Sequence, residues 1–174
     1  MSELFQEAVI ISILAGTFRV MTPILFAEIG ELVTQRAGIW NMGVEGTMIM
    51  GAFTSYIVAV ETGSQHLAIL SGIFSGMVMG LITAFMIATM RVDHFITGLG
   101  LNLLVGGLSL FWFRLYVGGA YAPTFDSLDN FAIPILNTIP VLGDIFFNQK
   151  LLTYVAFLSV PIVWYFLYRT RWGL

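Results

Sequence analysis

Two polar side chains lie inside apolar stretches of this sequence, where they could contact a polar solute. Asn102 is the one side-chain amide in the uncharged stretch Phe95–Phe113. An amide both donates and accepts, so it could bind a neutral ligand or bond to a neighbouring helix. Arg19 lies about eleven residues into the apolar stretch 8–27, and a charge at that depth in lipid costs at least ~2.5 kcal/mol. Arg19 should therefore face protein, water or lipid headgroups, and both residues are candidates for lining a solute path.

The residue combinations that most enzymes need are missing from the sequence. It has no cysteine, which excludes disulfides, thiolate metal ligands and cysteine nucleophiles. It has no glycine-rich phosphate loop ending in Lys-Ser or Lys-Thr. His66 and His94 are too far apart to form a helical metal pair, and both are predicted to be solvated at helix ends. The sequence therefore predicts a protein that is not an enzyme and that has no metal or cofactor.

The composition indicates that these residues are carried by membrane-spanning helices. Apolar residues make up 58% of the chain and charged residues 10%, whereas a soluble domain has about 25% charged residues. Crossing a bilayer takes roughly 20 apolar residues of helix. A single lysine and the lack of a basic stripe argue against a nucleic-acid partner. We expect an all-α integral membrane protein with five spans, at residues 8–27, 42–60, 67–90, 95–117 and 151–168.

Basic residues predict the orientation of these spans. Arg36, Arg91, Arg169 and Arg171 all fall on one side of a five-span protein. The positive-inside rule places that side in the cytoplasm, so the N-terminus is outside and the C-terminus is cytoplasmic. The outer loop 118–150 alternates prolines and aspartates with large apolar residues, so it is either a folded cap with a short interfacial helix or an ordinary connection.

Small residues at four-residue spacing predict two packing faces. Glycines at this spacing share one helix face and let a second backbone approach closely. The alternative is that this spacing arises by chance, because the chain has 18 glycines. The third span carries such a stripe at Gly72, Gly76 and Gly80, and the fourth carries Gly98, Asn102 and Gly106.

The segment Thr22–Ala52 has the most distinctive pattern in the chain. An apolar helix end is followed by acidic residues, by Gly38, and then by Asn41-Met-Gly43-Val-Glu45-Gly46. The glycines permit tight turns or close helix contact. Asn41 could cap the next helix, and Glu45 in its first turn would suit the positive end of the helix dipole. An ordinary polar hairpin between two helices is the alternative.

This segment resembles the signature of the membrane permeases of ABC importers in the simple-sugar and nucleoside branch, which are branched-chain-type permeases. Two departures are mild, since Gln35 replaces the usual acid and Met42 replaces Ile or Leu. The segments Thr97–Leu104 and Thr170–Leu174 resemble two later family blocks, and the resemblance covers nearly the whole chain. The matching signature residues are Gly30, Glu31, Leu32, Arg36, Gly38, Asn41, Gly43, Glu45, Gly46, Met48, Gly51 and Ala52.

The resemblance implies a transport subunit of the plasma membrane, in which residues 1–174 form one permease domain. Such a subunit works with a second permease subunit, a cytoplasmic ABC ATPase and an extracytoplasmic substrate-binding lipoprotein. It implies a nucleoside or simple sugar as substrate, and it makes Arg171, Trp172 and Gly173 the edge of the ATPase-coupling region. Family members are about twice as long, so we expect this chain to be the N-terminal half of such a permease. A small helical channel or scaffold protein without an ATPase is the alternative.

Overall fold

The computed structural model describes residues 2–118, 123–125, 128–132 and 145–171, with side chains from residue 9 onward. Trp172 and Gly173 lie outside the described residues, as do segments 119–122, 126–127 and 133–144 of the predicted outer loop. The described helices are α1 (Ser2–Arg36), α2 (Val44–Thr62), α3 (Gln65–Ala84), α4 (His94–Val117) and α5 (Leu151–Arg169). Two short strands, β1 (Asn130–Ala132) and β2 (Asn148–Lys150), precede α5.

The all-helical membrane fold predicted from the composition is confirmed. Four helices are long and apolar enough to cross a bilayer, at Val9–Arg36, Gln65–Thr89, His94–Val117 and Leu151–Arg169. Many large apolar side chains on them are exposed, including Leu103 at 77%, which suits contact with lipid far better than contact with water. Helix α2 is less apolar because Glu45 and Glu61 occupy its end turns, so the five-span count and the orientation stay predictions.

The first helix is longer than the predicted span. It continues past residue 27 to Arg36, because the segment from Glu28 to Arg36 has no proline and one glycine. The first residues of the signature therefore lie in the last turns of α1 and not in a hairpin. Gly38, with a φ of +82°, then turns the chain, and its N–H bonds to the carbonyl of Gln35 at 3.0 Å.

The described residues group into two compact units, Met1–Val33 with Leu128–Leu174, and Thr34–Ser127. In the first unit α1 contacts α5 and the residues before it. The Phe18 ring packs on Phe146 with centroids 4.8 Å apart and on Phe157 at 5.8 Å. One helical turn along α1, the Thr22 hydroxyl lies 3.0 Å from that of Thr153. A shared hydroxyl bond of this kind is a common link between membrane helices.

Part of the predicted outer loop forms an antiparallel hairpin. Strand β1 pairs with β2 so that Phe131 lies opposite Gln149. The Tyr154 hydroxyl on α5 accepts from the Gln149 N–H at 3.2 Å and donates to the Phe131 carbonyl at 3.2 Å. This hydroxyl fixes both strands to the start of α5. The interfacial helix stays a prediction, because it falls on residues outside the description.

In the second unit a seam of small residues joins α2 and α3. The Thr54 hydroxyl lies 2.8 Å from that of Ser75, and Ser75 is buried. A Cβ placed on Gly72 would collide with the Ser55 hydroxyl and lie 3.3 Å from the Gly51 carbonyl oxygen. The small residues therefore let the two backbones approach closely.

The predicted glycine stripe forms this seam at Gly72 only, among the described residues. A Cβ on Gly76 or Gly80 would meet no atom within 4 Å. The buried positions of α3 are instead Ala68, Ser75, Met79 and Thr83, at spacings of seven, four and four residues. Gly76 and Gly80 each follow a buried residue by one position, which turns them by about 100° around the helix and away from the contact line. A packing role for Gly76 and Gly80 toward other chains stays a prediction.

We expect Gly72→Val to destabilise the chain and Gly80→Val to leave it as stable or slightly more so. Both changes add the same atoms to the same helix, but only at Gly72 do these atoms enter an occupied space. Overpacking of a tight contact costs about 1–3 kcal/mol. The check is the thermal unfolding midpoint of the two purified variants in detergent. Equal midpoints would contradict a seam centred on Gly72.

The connection from α3 to α4 sets the start of the helix that carries Asn102. Helix α3 ends in a π-helical turn, Phe85–Thr89, after which Arg91 adopts a φ of +56°. Asp93 then caps α4, and its carboxylate accepts from the N–H groups of Phe95 at 2.9 Å and Ile96 at 3.1 Å. A capping aspartate stabilises a helix start by about 1 kcal/mol. Helix α4 therefore begins at a fixed residue, His94.

Candidate functional site

One face of α4 contacts residues 40–46, which run from the connection after α1 into the first turn of α2. We call residues 40–46 the signature loop. His94, Gly98 and Asn102 follow one another at four-residue spacing and so share a helix face. Each contacts a different part of residues 40–46. We call this contact the loop–α4 joint, formed by residues 40–46 with His94, Gly98 and Asn102.

Asn102 bonds to the signature loop through both ends of its amide. Its carbonyl oxygen accepts from the Gly46 N–H at 2.6 Å, and its nitrogen donates to the Met42 carbonyl at 3.0 Å. Gly46 lies in the first turn of α2, where backbone N–H groups have no partner within the helix. The side chain of Asn102 therefore caps α2 from a different helix, 56 residues away in sequence.

Gly98 and Gly46 leave the space that this arrangement needs. A Cβ on Gly98 would collide with the side chain of Met42 and lie 2.8 Å from the Gly43 nitrogen. A Cβ on Gly46 would lie 2.8 Å from the Asn102 amide oxygen. Gly98, Gly43 and Gly46 are all buried. At both glycines the neighbouring atoms include backbone, so the close approach depends on the missing side chains.

Two further bonds order the signature loop itself. The Trp40 N–H donates to Nδ1 of His94 at 3.1 Å, and the Asn41 side-chain oxygen accepts from the Gly43 N–H at 3.1 Å. The predicted helix cap by Asn41 is wrong, since Asn41 closes a turn before the helix and Gly43 takes the N-cap position. His94 lies at the start of α4, as predicted, and its ring also accepts a bond from the loop. Glu45 lies exposed in the first turn of α2, as its charge favours.

The remaining candidates are not among the residues that form this joint. Gly106 meets no atom within 4 Å of a built Cβ among the described residues, so the contact face runs from Asn102 toward His94 and not toward Gly106. Arg19 is exposed on α1, and Arg171 is exposed just after α5. Their roles in a solute path and in ATPase coupling stay predictions.

The contacts of the joint hold backbone segments of two helices and the loop between α1 and α2 in place. Its contacts are made by an amide, an imidazole, backbone groups and glycines. Across the described residues, no group of three or more His, Asp or Glu side chains could hold a metal ion. An arrangement of this kind fixes the distance between α4 and the start of α2.

The helices and their lipid-facing surfaces define a multi-pass integral membrane protein. Residues 12–174 match the family described as the branched-chain amino acid transport system permease component. The chain therefore belongs to this family of membrane permeases and is a multi-pass protein of the plasma membrane. The family resemblance expected from the signature is confirmed.

Three similar proteins are described as ABC transporter permeases, which agrees with this family. The chain is 35% identical over 166 residues to a putative glucose ABC transporter permease of Haloferax volcanii. It is 32% identical to a nucleoside ABC transporter permease of Lactococcus lactis and 31% identical to a guanosine ABC transporter permease of Bacillus subtilis. In each case the match covers 93% of this chain but 49% to 53% of the relative, so the chain spans about half the length of these proteins. No solved structure matches.

Proposed function

We propose that this chain contributes part of the translocation pathway of an ATP-driven importer for a nucleoside or a simple sugar. The observation that carries the proposal is the family match over residues 12–174, within which three relatives are described as glucose, nucleoside or guanosine permeases. The described residues fit this role, because many large apolar side chains are exposed along the helices and an amide, an imidazole and backbone groups make the bonds of the joint. Nucleosides and sugars are themselves neutral and rich in hydrogen-bonding groups.

The proposed importer has three partners for this chain. A second permease subunit completes the pathway, a cytoplasmic ABC ATPase supplies the energy, and an extracytoplasmic lipoprotein delivers the substrate. The ATPase is needed because this sequence has no phosphate-binding loop of its own. Arg171, Trp172 and Gly173 are the proposed edge of the segment that couples to the ATPase.

Asn102 has a primary role in the joint and a proposed second role beside the pathway. Its two bonds to the signature loop use one of the two amide hydrogens and one acceptor position. The side chain is half-buried rather than enclosed. A passing hydroxyl group could therefore bond to the same amide without breaking the joint. Arg19, exposed on α1, is the second proposed pathway residue.

The orientation of the protein is testable with single cysteines, because residues 1–174 contain no cysteine. We expect a cysteine at Glu61 to react with a membrane-impermeant thiol reagent in intact cells, and a cysteine at Ala37 to react only after permeabilisation. Both side chains are exposed, so accessibility to the reagent depends on the side of the membrane. Reaction of Ala37→Cys in intact cells, with Glu61→Cys protected, would reverse the orientation.

The transport proposal is tested by uptake in a strain that lacks the full-length gene. Loss of the gene should abolish high-affinity uptake of guanosine or of glucose, and the full-length gene should restore it. Deleting the gene of the proposed partner ATPase should have the same effect as deleting the permease. Normal uptake of both solutes in the deletion strain would contradict the proposed substrate class.

A further inference from the structure

A polar cavity lies between the α2–α3 turn and the segment Pro123–Phe125. Its volume is about 590 Å³, which falls within the roughly 300–1,000 Å³ of small-molecule sites. The walls include the hydroxyl-bearing Ser64 and Thr124, the imidazole of His66, and the ring of Phe125. No Asp, Glu, Lys or Arg is among the described residues that line it.

The two walls of this cavity are held in place by identifiable bonds. Gly63 turns the chain at the end of α2 with a φ of +63°, and its N–H bonds to the carbonyl of Ala59 at 2.9 Å. The opposite wall is tied to α2 by Tyr56, whose hydroxyl donates to the Pro123 carbonyl at 3.0 Å. The Tyr56 ring also packs edge-on against Phe125, with centroids 6.0 Å apart. These two contacts hold Phe125 and Thr124 in the second wall of the cavity.

The lining residues select a class of ligand. Hydroxyl and imidazole groups both donate and accept hydrogen bonds, while a charged ligand would find no opposite charge among the described lining residues. Phe125 is 46% exposed, so much of its surface is open to contact with a ligand. The flat ring beside neutral polar groups suits a neutral ring compound that carries hydroxyl groups.

We infer that this cavity is an outer-face binding site for a neutral, hydroxyl-bearing ring compound, a nucleoside or a monosaccharide, on its way into the pathway. The inference rests on the proposed function and on the predicted topology, which places the α2–α3 turn outside the cell. The cavity lies at the far end of α2 from the loop–α4 joint, since it includes residues beyond Ala59 whereas the joint ends at Gly46. It is therefore a separate site from the one that contains Asn102.

The test is protection of an engineered cysteine in the full-length, otherwise cysteine-free transporter assembled with its partners. Thr124→Cys places the thiol in the cavity wall, and Glu61→Cys places a control thiol on the same turn outside the described lining. Saturating guanosine or glucose should slow the reaction of an impermeant thiol reagent with Thr124→Cys at least several-fold. Neither solute should slow the reaction of Glu61→Cys. The solute that protects identifies the ligand as a nucleoside or a sugar.

A second variant tests the aromatic contact. In the Thr124→Cys background, Phe125→Ala should raise the concentration of guanosine needed for half-protection by about 5- to 150-fold, the range for loss of one base–aromatic stacking contact. Phe74→Ala removes a lipid-exposed ring from α3 and should leave that concentration unchanged. If glucose is the protecting solute, Phe125→Ala should raise its half-protecting concentration instead.

The outcomes separate this site from the proposed function. If guanosine or glucose is transported but does not protect the engineered thiol of Thr124→Cys, the proposed site is refuted and the proposed function stands. If neither solute is transported and neither protects, both proposals fail. Protection that survives Phe125→Ala without a shift in concentration would also refute the aromatic contact on which the ligand class depends.

Discussion

Replacing Gly98 by alanine is expected to disrupt the loop–α4 joint and to lower stability more than the same change at Gly100, Gly106 or Gly107 of α4. The new Cβ would collide with Met42 and come within 2.8 Å of the Gly43 nitrogen. Backbone atoms cannot rotate away as a side chain can, so α4 must move out and stretch the bonds that Asn102 makes. Overpacking with loss of hydrogen bonds should cost about 3 kcal/mol.

Gly100→Ala is the matched control for this prediction. Gly100 lies two residues along the same helix, and a Cβ there would meet no atom within 4 Å among the described residues. The same change should therefore be neutral or raise stability by up to about 1 kcal/mol, because alanine favours helices. The measurement is the unfolding midpoint of both purified variants in detergent. A Gly98→Ala variant as stable as Gly100→Ala would show that the joint does not form.

Replacing Asn102 by alanine is expected to loosen the start of α2. The change leaves the Gly46 N–H and the Met42 carbonyl without their partner. The Gly46 N–H is buried and costs about 1–3 kcal/mol when it is left unbonded, whereas the Met42 carbonyl belongs to an exposed residue and can bond to water, so we expect a total loss of about 1–3 kcal/mol. Ser109→Ala is a suitable control on the same helix, because the Ser109 hydroxyl bonds only to its own helix at Gly106 among the described contacts.

Asn102→Asp separates the two bonds of the amide. A carboxylate still accepts from the Gly46 N–H but presents an oxygen to the Met42 carbonyl, where the amide presented a donor. This variant should therefore also be destabilised, even though it keeps a helix-capping acceptor. Uptake per assembled transporter tests the additional pathway role of Asn102. If uptake per assembled transporter is unchanged in Asn102→Ala while abundance falls, Asn102 is structural alone.

The helices could be predicted from the sequence because long apolar runs allow little else in a membrane. Their ends were harder, and α1 runs nine residues past the predicted limit at residue 27, to Arg36. The segment Glu28–Arg36 contains charged and polar residues and so does not extend the apolar run, but it has no proline to end the helix. Helix ends depend on local bonds, such as those at Gly38, which hydropathy does not describe.

The partners within the candidate site could not be predicted from spacing. The spacing predicts that Gly98 and Asn102 share one face of α4, but spacing does not say what that face contacts. The sequence suggests the nearby Asn41 as the cap of α2, whereas in the structure the cap comes from Asn102, 56 residues from the Gly46 N–H that it binds. The contact of His94 with the loop is not predicted, for the same reason. The position of His94 one helical turn before Gly98 was the signal that would have placed it on this face.

The proposed importer function can be tested by measuring solute uptake into liposomes that contain the full-length permease with its second permease subunit, ATPase and binding protein. We expect guanosine or glucose to accumulate only when ATP is present on the ATPase side and the binding protein is present on the other. We expect no flux when the permease is reconstituted by itself. Rapid flux of either solute through the permease alone, without ATP, would contradict the importer and identify a channel.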